Sequence, residues 1–208
     1  MTIDHLVYGA PDVDAAIDKL EALLGVRATP GGKHPSAGTH NALLSLGDET
    51  YLEIIGPDPA QDPPKDRERP FGLDHLDRPK LVTWALASND IEGLVARARR
   101  MGYDPGDPQP MSRDLPEGGK LSWTLTRARE PFGDGLVPFL IDWGDTPHPA
   151  KNAPGGCRLV RLRGEHPNAP AVIDALLALD TIDVSVIPGP EPRLVAIIET
   201  PDGEVELE

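Results

Sequence analysis

The sequence predicts an α+β fold assembled from repeated βαβββ modules, two longer ones and a shorter third unit. Three observations predict it. Apolar runs with strand periodicity and stretches with helical periodicity recur in the same order three times along the chain. A capping residue stands at the start of each helical stretch. The 24 prolines and 21 glycines fall largely between these runs, where turns are needed.

The first module, residues 1–57, opens with the strand Ile3-Asp4-His5-Leu6-Val7-Tyr8. Asp12 is placed to cap a helix whose apolar face is Val13, Ile17, Leu20 and Leu24, and Gly25 suits its C-terminal stop. A Gly/Pro-rich stretch follows, then strands over Ala42–Leu46 and Tyr51–Ile55, with Gly47-Asp48-Glu49-Thr50 turning between them. Residues 58–80 are rich in Pro, Asp and Arg, have no clear period, and read as a linker or wrapping loop. The second module, 81–150, repeats the order. Leu81–Ala87 is a strand, Asn89 with Glu92 forms a capping box, and Ile91, Leu94, Val95, Ala98 and Met101 make an apolar helix face ended by Gly102. Strands Leu121–Thr126 and Val137–Asp142 close it. The third unit, 157–208, has a strand from Cys157 to Leu162 and a helix capped by Asn168. That helix carries Val172, Ile173, Leu176, Leu177 and Leu179, and strands follow over 184–187, 194–199 and 204–207.

Charge and composition exclude several functions. A formal net charge of −14, spread along the chain, opposes binding to nucleic-acid phosphates. No apolar run approaches the roughly 18 residues a membrane span needs. Met1-Thr2-Ile3-Asp4 lacks the basic and apolar segments of a signal peptide, and a single cysteine, Cys157, forms no internal disulfide. A cytoplasmic location is the expectation. Neither a GxGxxG, a GxxxxGK[ST] nor a G-x-S-x-G motif occurs, so dinucleotide, nucleotide triphosphate and serine-hydrolase chemistry are not indicated.

The repeated order, with a histidine in the first strand and a glutamate in the last, resembles the vicinal oxygen chelate superfamily. Ile3–Tyr8, the segment from His34 to Gly47, and Tyr51-Leu52-Glu53-Ile54-Ile55-Gly56-Pro57 resemble its glyoxalase-like (glyoxalase/bleomycin-resistance/dioxygenase) branch in particular. The resemblance implies two modules facing across a cleft that often holds a divalent metal. Carried onto this chain, it implies His5 and Glu53 as ligands or catalytic groups. Strand parity puts His5 with Val7, and Tyr51 with Glu53 and Ile55, on shared faces. Such a pair suits Zn, Mn, Fe or Ni, and a hydrogen-bonded pair without metal is equally open. The second module departs from the pattern. Thr83 or Trp84 stands in its first strand, Ile141 stands opposite Glu53, and Asp142 is one residue out of phase.

Further residues are candidates for substrate binding. His40 and Asn41 sit at a strand entrance within reach of the cleft, although His40 also fits a plain loop histidine. Trp84 and Trp123 can wall a pocket or fill a core. Arg113, in Met111-Ser112-Arg113-Asp114, can clamp an anion or pair with Asp114 or Glu117. His34, His75 and His166 read as loop residues, and His148 as part of a turn after the second module. Two functions follow. One is a metal-dependent lyase, isomerase or dioxygenase acting on a small oxygen-bearing substrate; the other is a metal-free protein that binds or sequesters a small molecule in the same cleft. The third unit is expected to cover a sheet edge or to pair with a second copy in a homodimer.

Overall fold

The computed structural model describes residues 2–114, 120–128 and 132–208. The first module comprises β1 (Ile3–Gly9), α1 (Val13–Leu24), β2 (Thr29–His34), β3 (Thr39–Ser45) and β4 (Tyr51–Pro57). The second comprises β5 (Lys80–Ala87), α2 (Ile91–Arg100), β6 (Asp107–Asp114), β7 (Lys120–Arg127) and β8 (Phe139–Asp142). Their strands form one eight-stranded sheet in the order β2-β3-β4-β1-β5-β8-β7-β6, joined at its centre by antiparallel pairing of β1 with β5. Within each module the first strand runs parallel to the last, β1 to β4 and β5 to β8. The α+β architecture of βαβββ modules is therefore present.

Two strands lie where the sequence reads as turn or loop. β2 is Thr-Pro-Gly-Gly-Lys-His and β6 is Asp-Pro-Gln-Pro-Met-Ser-Arg-Asp. Both are edge strands, where a proline leaves no ladder bond unmade. The sheet curls until these edges come into contact, and Arg113 of β6 donates to the Gly31 carbonyl of β2. Its concave face becomes the wall of a cleft.

The convex face packs outward on the helices. Leu6 and Tyr8 of β1, Leu52 and Ile54 of β4, and Trp84 and Leu86 of β5 join the apolar faces of α1 and α2 in one core. Asp12 caps α1 as expected, its side chain accepting from Ala15 N at 3.0 Å. For α2 the cap is Asp90 rather than Asn89, accepting from Gly93 N at 3.0 Å, and Met101 lies exposed beyond the helix end.

The third unit consists of β9 (Arg158–His166), α3 (Ala169–Ala178), β10 (Val184–Pro188), β11 (Arg193–Thr200) and β12 (Gly203–Leu207). It keeps the predicted element order but not the modules' pairing. Its sheet runs β10-β9-β11-β12, with β9 parallel to β10 and antiparallel to β11. Rather than lining an edge of the first sheet, it packs over the convex side, β11 against β5 and α3 against α2. Leu162, Val172, Leu176 and Leu194 enter the same core as the two modules. Arg97 of α2 fastens the arrangement by donating to the Leu177 and Ala178 carbonyls at the end of α3. Asn168 precedes α3 without a side-chain capping bond, and Ile173 and Leu177 stay exposed on its outer side. Among the described residues, no helix is long and apolar enough to cross a membrane.

Candidate functional site

The linker closes one side of the cleft. Its 3₁₀ turn, Pro70–His75, inserts Leu73 against Val7 and Ile55 on the concave face. Arg69 Nε donates to the Gly38 carbonyl at 3.0 Å and Arg67 to the Ser36 carbonyl at 2.7 Å, tying the linker to the turn between β2 and β3. Phe71 adopts a left-handed backbone, φ 61°, and stacks on Phe139 of β8 with ring centroids 5.8 Å apart. The cavity measures ≈ 1020 Å³, is open to solvent, and is lined from both modules, the linker and the start of β11.

At one end stands a chain of polar groups made by a backbone irregularity. A bulge between Ile3 and His5 in the β1–β5 ladder leaves Asp4 as an extra residue. Ile3 and Leu6 both face the core, while Asp4 and His5 both reach the concave side. His5 Nδ1 lies 2.7 Å from Asp4 Oδ1. Asp4 Oδ2 accepts from Trp143 Nε1 at 2.9 Å and lies 3.2 Å from His148 Nε2. Burial by itself raises the Asp4 pKa, but hydrogen bonds and charge from His148 and His5 outweigh it and hold the carboxyl at about 2. Asp4 is therefore ionised at neutral pH, and His5 Nδ1 must carry the proton it donates. The other nitrogen of His5, Nε2, is left facing the cleft.

Glu53 of β4 faces that nitrogen. Its Oε2 lies 3.8 Å from His5 Nε2, beyond hydrogen-bond range, while Oε1 accepts from Asn41 Nδ2 of β3 at 2.5 Å. Each member of the pair is thus held by its far atom and offers its near atom to the cavity. Tyr51 stacks on His5 with centroids 4.6 Å apart, and burial drives its phenol pKa well up, so it stays neutral. His5 is 3% exposed and Glu53 9%, so both are fixed by packing.

The other expected site residues divide by strand parity. Asn41, Arg113 and Trp123 line the cavity. His40 does not: it alternates with Asn41 along β3, and only one of two neighbours can face the cleft. Trp84 does not either. It is fully buried in the convex core and donates to the Leu136 carbonyl at 2.9 Å, while its neighbour Thr83 takes the cleft-facing place. Glu117, a suggested partner of Arg113, lies outside the described residues, as does the side chain of Asp114.

Two histidines carry more than their sequence context indicated. His34 ends β2 on the cavity wall, its ring 3.1 Å from Thr39 Oγ1, and burial lowers its pKa against the pull of Glu53. His148 buttresses Asp4 and lies edge-on to Tyr51. His75 instead meets Glu68 on the surface at 3.1 Å.

Among the described residues a metal would find two donors here, His5 Nε2 and Glu53. The second module offers Thr83, Phe139 and Ile141 toward the same cleft, none of which completes a chelate. Among the described residues, no three His, Cys, Asp or Glu side chains are grouped to hold an ion. This donor set does not fit a resident metal held by protein side chains alone.

Comparison with known proteins bears on this geometry. A family model described as a glyoxalase-like domain matches residues 3–179. No characterised protein sequence matches significantly. Among solved structures, a hypothetical protein from Staphylococcus aureus superposes with a TM-score of 0.67 at 15% identity, covering 98% of this chain and 83% of that one. A mutant of 4-hydroxymandelate synthase from Streptomyces coelicolor gives a TM-score of 0.51 at 19% identity, covering 98% and 60%. Methylmalonyl-CoA epimerase from Mycobacterium tuberculosis matches over 67% of this chain and 85% of its own, at 18% identity and a TM-score of 0.41. At these identities the structural likeness speaks to fold alone. The family match spans most of the chain, and the chain belongs to the glyoxalase-like domain family.

Proposed function

We propose that this protein binds a small oxygen-bearing molecule in its cleft, anchoring one oxygen between His5 Nε2 and Glu53 Oε2, without a metal chelated by its side chains. The observation that carries the reading is the 3.8 Å gap between those atoms. The gap is too long for a direct bond, yet an alcohol, enol or phenol hydroxyl seated beside both atoms can donate its proton to the nitrogen or to the carboxylate. Asp4 and Asn41 hold the pair in place before any ligand arrives, which lowers the ordering cost of binding. Phe71, Phe139 and Trp123 offer the apolar surface a small organic molecule needs beyond its polar end. The two-donor set supports this reading over the metal-dependent lyase, isomerase or dioxygenase.

A second reading is favoured by the fixed tautomer of His5. A histidine whose Nδ1 is committed to a buried carboxylate presents Nε2 as a proton acceptor, and Glu53 beside it is a second one. The same pair is then suited to taking a proton from a carbon next to a carbonyl whose own oxygen is bound elsewhere in the cleft. No metal enters that step.

Thermal-shift screening of chelator-treated protein against small alcohol, enol and phenol compounds tests the first reading. Hits are expected in the absence of Zn, Mn, Fe and Ni, and His5→Gln or Glu53→Gln should weaken them at least tenfold. Hits that require added metal would overturn it. Deuterium exchange at the α-carbon of a bound carbonyl compound, followed by NMR, tests the second.

A further inference from the structure

We infer that Arg113 makes this cleft a site for organic anions, and that its ligand is a carboxylate with an apolar body whose neighbouring oxygen sits at His5 and Glu53. The inference rests on the oxygen anchor proposed above and adds the charge and shape of the ligand.

Arg113 is 8% exposed on the cavity wall. One of its N–H groups goes to the Gly31 carbonyl, and the guanidinium has others to offer. Among the described residues no carboxylate lies within salt-bridge distance of it, and Glu53 acts on it only through space. Burial pushes its pKa down against that attraction, the mark of a cation held in a poorly solvated place. Bonding to one carbonyl does not require a charge. A neutral donor would tie β6 to β2 without the desolvation cost that a buried guanidinium carries. A carboxylate, taken bidentately, would supply the counter-charge that is absent among the described residues.

Two further observations agree. The cavity is lined by six Lys and Arg residues against five Asp and Glu, in a chain with 20 of the first and 34 of the second. The lining is thus less acidic than the rest of the molecule, with Arg69 paired to Asp74 and Arg193 to Glu165 and Glu208. The backbone opposite Arg113 is also kept bare. A Cβ on Gly32 would fall 2.1 Å from Arg113 Nη1, and one on Gly31 would fall 2.4 Å from Asn41 Oδ1. The Gly31-Gly32 pair therefore lets the guanidinium and the Asn41–Glu53 pair lie side by side. Along β7, Leu121, Trp123 and Leu125 face the cavity and continue away from Arg113 as an apolar wall, so the body of the ligand lies along that strand.

The test uses the full chain and three probes measured by calorimetry: 2-hydroxy-4-phenylbutanoate, its neutral amide, and 4-phenylbutanoate, which lacks the hydroxyl. The hydroxy acid should bind at least tenfold more tightly than its amide. Arg113→Gln should erase that preference, and Arg113→Lys should keep part of it, with unfolding temperature confirming that both variants fold. Glu53→Gln should leave the preference standing or enlarge it, because a nearby negative charge is removed. Equal binding of acid and amide to the native protein, survival of the preference in Arg113→Gln, or binding of none of the probes would overturn the inference. Failure of the oxygen anchor reads differently: the two acids then bind alike while both still outbind the amide.

Discussion

Replacing Asp4 by Asn removes one charge from the polar chain with almost no change in shape. The native carboxylate receives Trp143 Nε1 at 2.9 Å and stands 2.7 Å from His5 and 3.2 Å from His148. Those contacts hold its pKa at about 2 against an ordinary 3.8, in spite of the burial that opposes ionisation. A folded-state pKa below the unfolded one means stability that is fully present above about pH 4 and is lost as pH falls through about 2. The difference corresponds to about 2 kcal/mol, little reduced by solvent screening because Asp4 is 1% exposed. For a chain of this size that is roughly 4–8 °C in unfolding temperature. Urea unfolding of the native protein and Asp4→Asn should therefore show a stability gap near pH 6 that closes between about pH 4 and pH 2. Other carboxylates titrate equally in both proteins and cancel in the difference. Parallel curves across that range would refute the placement of Asp4 at the centre of the network.

Three other perturbations separate the core from the cleft. Trp84→Phe strands the Leu136 carbonyl and should cost about 1–3 kcal/mol in chemical denaturation, with no change in affinity for a cleft ligand. Gly135→Ala, at φ 90° with its Cβ 2.0 Å from the Val82 carbonyl oxygen, should cost at least about 3 kcal/mol or abolish folding, read as a loss of unfolding temperature or of soluble protein. Leu73→Ala withdraws the linker's plug from Val7 and Ile55 and should remove about 2–5 kcal/mol of local stability. Limited proteolysis should then cut residues 58–80 faster while the two sheets stay intact.

The sequence exposed the periodic parts of this molecule and hid the parts set by tertiary context. Helix faces such as Val13, Ile17 and Leu20 repeat at 3.6 residues and need no outside information. β2 and β6 read as turns because proline and glycine usually break strands, and only their place at the sheet edges makes them strands. His5 and Glu53 came from the resemblance, and strand parity told only which neighbours share a face with each. Asp4 was not legible, because alternation puts it opposite His5 and nothing in the local sequence marks the bulge that turns it inward. Parity also decides Asn41 over His40 and Thr83 over Trp84, but sequence alone leaves open which neighbour faces the cleft. The third unit repeats the element order of the modules, and strand pairing, which distinguishes it, leaves no trace in such an order.

Elemental analysis bears most directly on the central claim that His5 and Glu53 form an oxygen anchor rather than half of a chelate. It should be run on untagged protein, before and after incubation with Zn, Mn, Fe and Ni, beside His5→Ala and Glu53→Ala. Metal far below one ion per chain is expected in all three proteins after dialysis. Near-stoichiometric metal in the native protein, abolished by both substitutions, would contradict it.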